Sequence, residues 1–121
     1  MKVTYETGLH GEEIAEQYLT GQGMKCLERR YREKVGEIDL IMEDGDCLVF
    51  VEVKSRFSSA EQGSGLTAVT YAKQRRIARC ALLYQMKHDP EHSKAMRFDV
   101  VEVNREGILH ISNAFQPGGR F

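Results

Sequence analysis

Two apolar segments joined by a tight turn constrain the fold of this 121-residue chain most strongly. Residues 36–42 (GEIDLIM) and 47–54 (CLVFVEVK) are rich in strand-forming side chains, and the sequence EDGD lies between them. An Asp-Gly pair between two such segments is a strong signal for a β-hairpin. The sequence therefore predicts two antiparallel strands here, among the most apolar in the chain.

Helical and strand periodicities extend on both sides of this hairpin. The predicted helices cover residues 7–20 and 70–87, and Thr70 is the expected N-cap of the second. The other predicted strands cover residues 24–32, 98–103 and 108–112. A loop rich in Ser and Gly is expected at residues 57–65.

This order of elements predicts an α/β fold. The strand before the second helix and the strand after it can form a right-handed parallel crossover, whereas the hairpin adds antiparallel neighbours. We therefore expect a mixed β-sheet with helices packed on it. A chain of this length favours a single domain over residues 1–121, with a flexible tail at residues 116–121.

Charge and composition restrict the classes of function. The formal net charge is -1, from 17 basic and 18 acidic residues. Proteins that bind nucleic acid nonspecifically are normally strongly basic, so contacts with nucleic acid would need local basic clusters or a metal ion that offsets some acids. The three cysteines form no Cys-x-x-Cys pair, and no apolar segment approaches the roughly 20 residues of a membrane helix. With no apolar signal core at the N-terminus, we expect a cytoplasmic protein without a membrane partner.

Three charged residues interrupt the two apolar strands. Glu52 and Lys54 share one face of their strand because every second residue of a strand lies on the same side, and such residues are about 6.6 Å apart. Asp39 lies across the hairpin, where its carboxylate could meet that of Glu52. Two buried carboxylates repel each other unless they lose their charge or bind a hard cation such as Mg²⁺. On spacing alone, a salt bridge between Asp39 and Lys54, with Glu52 at a sheet edge, explains the pattern equally well.

The first helix places another acid toward the core. On a helical wheel Glu12 lies within the apolar arc that contains Ala15 and Leu19, and Glu16 also falls within this arc and is a rival candidate. Glu12 is therefore a candidate to join the acid cluster. The alternative is an N-terminal helix acid stabilised by the helix dipole.

Basic residues form two candidate surfaces for nucleic acid. Lys73 lies on the apolar stripe of the second helix, where it can face the acids or a phosphate, whereas Arg75 and Arg76 lie on the other side. Arg29 and Arg30 belong to a basic cluster before Gly36 that can follow a phosphate backbone. A solvated basic face and an ordinary polar strand are the respective alternatives.

Several ordered motifs carry a family resemblance over residues 8–115. They are GLHGEEIAEQYL, GEIDLI, FVEVKSR, AKQRRI, RFDVVEV and ISNAF. Together they resemble the YraN-like family of small bacterial proteins. That family is similar to archaeal Holliday-junction resolvases within the PD-(D/E)xK superfamily. The resemblance implies a restriction-endonuclease-like three-layer fold, with a mixed β-sheet flanked by helices.

The resemblance also implies a set of site residues. Asp39 matches the motif aspartate, while Glu52 and Lys54 match the paired acid and lysine. Glu12 matches the glutamate of the first helix. The superfamily often has a proline before the motif aspartate, and Ile38 stands there instead, as is usual in the resolvase-like branch.

A bound metal and a substrate follow from the same resemblance. Mg²⁺, or Mn²⁺ in its place, would be held by Asp39, Glu52, Glu12 and the backbone carbonyl of Val53. Lys54 would orient the attacking water. Lys73 and Gln74 lie where the superfamily often has a polar residue, and with Arg75, Arg76, Arg29 and Arg30 they are the candidate nucleic-acid contacts.

Two hypotheses about function follow. The first is a metal-dependent endonuclease that hydrolyses DNA phosphodiester bonds, with branched or junction DNA as a candidate substrate. The similar resolvases act as dimers, so a homodimer is implied. The alternative is a non-catalytic nucleic-acid-binding or protein-interaction module that retains the nuclease fold.

Overall fold

A computed structural model describes residues 6–56 and 69–116, and these residues form two helices and five strands. The elements in chain order are α1 (Glu6–Gly21), β1 (Lys25–Glu33), β2 (Gly36–Asp44), β3 (Cys47–Arg56), α2 (Tyr71–His88), β4 (Ala95–Asn104) and β5 (Gly107–Phe115). Every predicted helix and strand is present. Neither helix is long and apolar enough within these residues to cross a membrane.

The strands form one mixed sheet in the order β1-β2-β3-β4-β5. β2 and β3 form the predicted antiparallel hairpin, and Gly45 in its turn has a φ of 58°, which favours glycine. β3 and β4 pair in parallel across α2, which confirms the predicted crossover. β1 and β5 pair antiparallel with β2 and β4 and form the two edges.

Four strands are longer than the sequence predicts, and β4 and β5 extend the farthest. β4 begins at Ala95, three residues before the predicted start, and β5 ends at Phe115 rather than at residue 112. β5 stays paired because its register with β4 shifts at a bulge near Asn113, which has a φ of 54°. The predicted loop at residues 57–65 and the tail beyond residue 116 lie outside the described residues.

One helix covers each face of the sheet. Val49 and Val51 of β3 pack in the cluster that contains Ala15 and Leu19 of α1. Phe50 belongs to the cluster on the opposite face, with Ile77, Ala81 and Tyr84 of α2. The alternation along β3 thus produces the predicted three layers, helix, sheet and helix.

The central hairpin separates toward one end of the sheet. The paired register of β2 and β3 ends at Leu40 and Val51, whereas β3 remains paired with β4 as far as Arg56. Ile38 packs in the α2 cluster and Leu40 in the α1 cluster, although they are two residues apart. The regular alternation of side chains between the two faces of β2 is therefore interrupted around Asp39. The sheet opens beside that residue.

The start of α1 lies against the end of β3. A Cβ atom added to Gly11 would lie 2.0 Å from Ser55 Oγ and 3.2 Å from Ser55 Cβ. Only glycine fits this approach without displacing Ser55. The close contact holds α1 against the strand that carries Glu52 and Lys54.

We expect Gly11→Ala to lower the free energy of unfolding by about 1–3 kcal/mol, because overpacking outweighs the better helix propensity of alanine. Ser55→Gly in the same chain should recover part of this loss, with a coupling energy of about 0.5–3 kcal/mol in a double-mutant cycle. Denaturant unfolding measures both values. Gly21→Ala is the control, since a Cβ on Gly21 meets no atom within 4 Å. Additive effects of Gly11→Ala and Ser55→Gly would contradict the contact.

Candidate functional site

Glu52 is a buried carboxylate between two ammonium groups. Only 5% of its surface is exposed, and it lies in β3, the middle strand of five. Its Oε2 atom lies 2.5 Å from Lys73 Nζ and 3.2 Å from Lys54 Nζ. The alternative of an Asp39–Lys54 salt bridge with Glu52 at an edge is therefore wrong, because Lys54 pairs with Glu52.

Lys73 reaches this site because α2 begins at a defined residue. The Thr70 side chain accepts a hydrogen bond of 3.2 Å from the backbone N–H of Lys73, which confirms the predicted N-cap. Burial disfavours the charged form of Lys73, but its hydrogen bond to Glu52 and the charge of Glu52 outweigh burial and raise its pKa. Lys73 therefore stays positively charged beside Glu52.

Asp39 faces the same site from β2. Its Oδ2 atom accepts a hydrogen bond of 2.8 Å from the backbone N–H of Val53, beyond the last β2–β3 backbone pair. Burial, and then the negative charge of Glu52, raise the pKa of Asp39 from 3.8 to about 7, against the effect of the Val53 hydrogen bond. The two carboxylates therefore converge, as the hairpin predicted.

An open cavity of about 290 Å³ lies over these groups. Its lining residues are Gly36, Glu37, Asp39, Glu52, Lys73, Arg76 and Ile77. Of the basic residues of α2 predicted to contact nucleic acid, Lys73 and Arg76 line this cavity. A cavity that exposes two carboxylates beside cations can admit a phosphate group together with a divalent cation.

Two predicted contacts on α2 have other partners. The Gln74 side chain donates a hydrogen bond of 3.0 Å to the carbonyl of Val69, at the entry to α2. The guanidinium of Arg75 lies 5.7 Å from the ring centre of Tyr71, on the outer side of the helix. Neither residue lines the cavity over Asp39 and Glu52.

The acids of α1 pair with the basic residues of β1. Glu12 Oε1 lies 3.0 Å from Arg30 Nε, and Glu16 Oε1 lies 2.5 Å from Arg29 Nε. The charge of Glu12 contributes to the raised pKa of Asp39, so Glu12 lies near the acid pair while bonded to Arg30. The predicted nucleic-acid contacts Arg29 and Arg30 thus pair with acids of α1, one of which, Glu12, is a predicted metal ligand. The sequence alone predicted separate sites for the metal ligand and these contacts.

The donor set suits a hard cation but is incomplete. Within residues 6–56 and 69–116, no group of three or more His, Cys, Asp or Glu side chains is arranged to hold a metal ion. Asp39 and Glu52 supply adjacent carboxylate oxygens, which Mg²⁺ prefers, and the Val53 carbonyl belongs to the same segment of β3. Their chemistry fits Mg²⁺, provided that the lysines release Glu52.

Two further carboxylates on β4 were missed from the sequence. Asp99 is fully buried and Glu102 is 4% exposed. Both interrupt the apolar segment RFDVVEV, as Glu52 interrupts its own strand. The same signal, an acid inside an apolar strand, could have identified them.

Comparison with known sequences gives the family. The pattern of the uncharacterised protein family UPF0102 matches residues 11–103. The chain belongs to this family. The matched region begins just before Glu12 and ends just after Glu102, so it contains every site residue described above.

UPF0102 relatives match along almost their whole length. The UPF0102 protein of Alkalilimnicola ehrlichii is 44% identical over 114 residues, covering 94% of this chain and 90% of the relative. That of Rhodococcus opacus is 42% identical, covering 89% and 94% respectively. A UPF0102 protein of Legionella pneumophila is 37% identical, covering 96% and 99%.

Asp39→Asn should stabilise the protein at alkaline pH when divalent cations are absent. Because the folded pKa of Asp39 is raised from 3.8 to about 7, the free energy of unfolding of the wild type falls by about 1.4 kcal/mol per pH unit as pH rises between these values. The variant keeps an oxygen for the Val53 N–H but carries no charge. The increase in its free energy of unfolding over the wild type should be complete above pH 7 and absent below pH 4, as measured by chemical denaturation in EDTA. A gain that is independent of pH would contradict the raised pKa.

Proposed function

We propose that this protein is a metal-dependent nuclease that hydrolyses phosphodiester bonds of DNA in the cytoplasm. The observation that carries the proposal is the convergence of Asp39, Glu52 and Lys73 at one open cavity, with Lys54 paired to Glu52 beside it. We further propose branched or junction DNA as the substrate and a homodimer as the acting form, on the strength of the resemblance to junction resolvases.

Each residue has a distinct role in the proposed reaction. Asp39, Glu52 and the Val53 carbonyl would hold Mg²⁺, which supplies Lewis-acid stabilisation to the phosphate oxygens. Lys54 orients a water for attack on phosphorus and offsets developing negative charge. The attack forms one P–O bond and breaks another. The attacking water gives up one proton to solvent, and the leaving oxygen takes one up from solvent.

Substrate binding would rearrange the charges of the site. In the free protein Glu52 is neutralised by Lys54 and Lys73. A phosphate group that enters the cavity competes for Lys73, and Arg76 at the cavity wall adds a second positive charge. Release of Glu52 from Lys73 makes its carboxylate available to the metal. Glu12 would join the same shell after leaving Arg30.

One observation favours the non-catalytic alternative. Glu52 and Glu12 are each satisfied by cationic side chains, so the acids are balanced without a metal ion. In that case the site binds nucleic acid or a protein partner and does not cleave. The two functions differ in whether cleavage depends on Asp39 and on a divalent cation.

Cleavage of labelled linear, flap and four-way-junction DNA tests the proposal. We expect cleavage with Mg²⁺ or Mn²⁺ and none in EDTA. Lys54→Ala should reduce the rate about 10²-fold or more, because it removes a preorganised charge from the transition state. Asp39→Ala should reduce both cleavage and Mn²⁺ binding, the latter followed by electron paramagnetic resonance.

Lys94→Ala is the matched control for Lys54→Ala. Lys94 pairs with Glu43 at 2.9 Å, and its side chain is 29% exposed, against 21% for Lys54. It lies at the other end of the β3–β4 pair and should leave the rate unchanged. Cleavage that persists in Asp39→Ala and Lys54→Ala would overturn the assigned site. DNA binding without cleavage of any substrate would instead support the non-catalytic function.

A further inference from the structure

A buried carboxylate on β4 lies directly beside the candidate site. Glu102 is the parallel partner of Lys54 in the β3–β4 register, so the two residues share one face of the sheet. The Glu102 side chain is only 6% exposed. Its Oε1 atom lies 3.1 Å from Arg56 Nε, and its Oε2 atom accepts a hydrogen bond of 2.8 Å from Asn104 Nδ2. Glu102 thus holds Arg56 at the end of β3.

Arg56 continues the row of charged residues that forms the site. Glu52, Lys54 and Arg56 are alternate residues of β3 and therefore lie on the same face. Neighbours in this row are about 6.6 Å apart along the strand. A phosphate chain that enters at Lys73 and Glu52 can therefore meet Arg56 as a separate cationic group farther along β3.

The Arg56–Glu102 pair differs from the other buried arginine pair of β4. Arg97 donates hydrogen bonds of 3.0 and 3.2 Å to the two carboxylate oxygens of Asp99. Asp99 also contacts His110 Nε2 at 2.8 Å and accepts a hydrogen bond from the Asn113 backbone N–H at 2.9 Å. This fully bonded cluster fastens β5 to β4, so Arg97 has a structural role.

In contrast, Arg56 and Glu102 are close but poorly aligned. Both Arg56 Nε and Glu102 Oε1 are buried, and neither has a hydrogen-bond partner among the described residues. Arg56 and Arg97 have equal side-chain exposure, 22%. The charge attraction therefore holds Arg56 near Glu102 without a directional hydrogen bond from Nε. The terminal nitrogens of a guanidinium carry four further N–H donors, whose geometry matches phosphate oxygens.

We propose that Arg56 binds a second phosphate group of the nucleic-acid strand, farther along β3 than the phosphate that Lys73 holds beside Glu52. Glu102 is a positioning residue, since it acts through Arg56. This inference rests on the proposed binding of nucleic acid and extends it to a second phosphate, with Arg56 beyond Lys54 along β3. It does not depend on cleavage.

The salt dependence of DNA binding tests this proposal. Each phosphate contact contributes about 0.9 to the slope of log K against log salt concentration for double-stranded DNA. Arg56→Gln should reduce the slope for a labelled four-way junction by about this amount, measured in EDTA to prevent cleavage. Arg56→Lys should keep the slope of the wild type because it keeps the charge.

Arg97→Gln is the matched control. Like Arg56→Gln, this substitution removes an arginine whose side chain is 22% exposed and that pairs with a buried acid. Arg97 lies at the opposite end of the β3–β4 pair. It should lower the melting temperature and leave the slope unchanged. Glu102→Gln should keep the slope while weakening the binding severalfold, because Arg56 remains charged but loses its partner.

The outcomes separate this inference from the proposed function. Wild-type slope in a folded Arg56→Gln variant would overturn the role of Arg56. An equal loss of slope in Arg97→Gln would also overturn it, since any buried pair would then have the same effect. Tighter binding by Glu102→Gln would overturn the positioning role of Glu102. If the wild type shows no salt-dependent binding to DNA, the proposed nucleic-acid function itself fails.

Discussion

A carboxylate buried in the middle strand of a sheet requires charged partners, and the arrangement around Glu52 follows from this requirement. Lys54 supplies one partner from the same strand, and α2 supplies Lys73 from the layer above. The position of Lys73 depends in turn on the Thr70 cap that starts α2. A local hydrogen bond thereby orients a residue of the candidate site, and the crossover that makes β3 and β4 parallel brings that residue over Glu52.

The separation of β2 from β3 makes this buried charge accessible. Backbone pairing of the hairpin stops at Leu40 and Val51, and the side chain of Asp39 then accepts the N–H of Val53. The carboxylate thereby satisfies a backbone donor where the ladder has ended, which is why the strands can part without an unpaired N–H. The cavity over Asp39 lies at this opening.

Most acids around the site have a cation beside them. Glu52 has two lysines, Glu12 has Arg30, and Glu102 has Arg56. These pairs balance most of the negative charge that is clustered at the site. Binding of a phosphate strand or a divalent cation would therefore proceed by exchange of partners, which links recognition of the substrate to the availability of the carboxylates.

Features that depend on local periodicity could be predicted from the sequence. These are the hairpin, the common face of Glu52 and Lys54, the Thr70 cap and the inward direction of Lys73, because each follows from spacing along one strand or one helix. The sequence did not predict the pairing of Glu12 with Arg30 or of Arg56 with Glu102, nor the extension of β5 through the bulge at Asn113. These features depend on how far one strand is shifted against its neighbour and on where α1 lies over the sheet. Spacing within a single element contains no information on either.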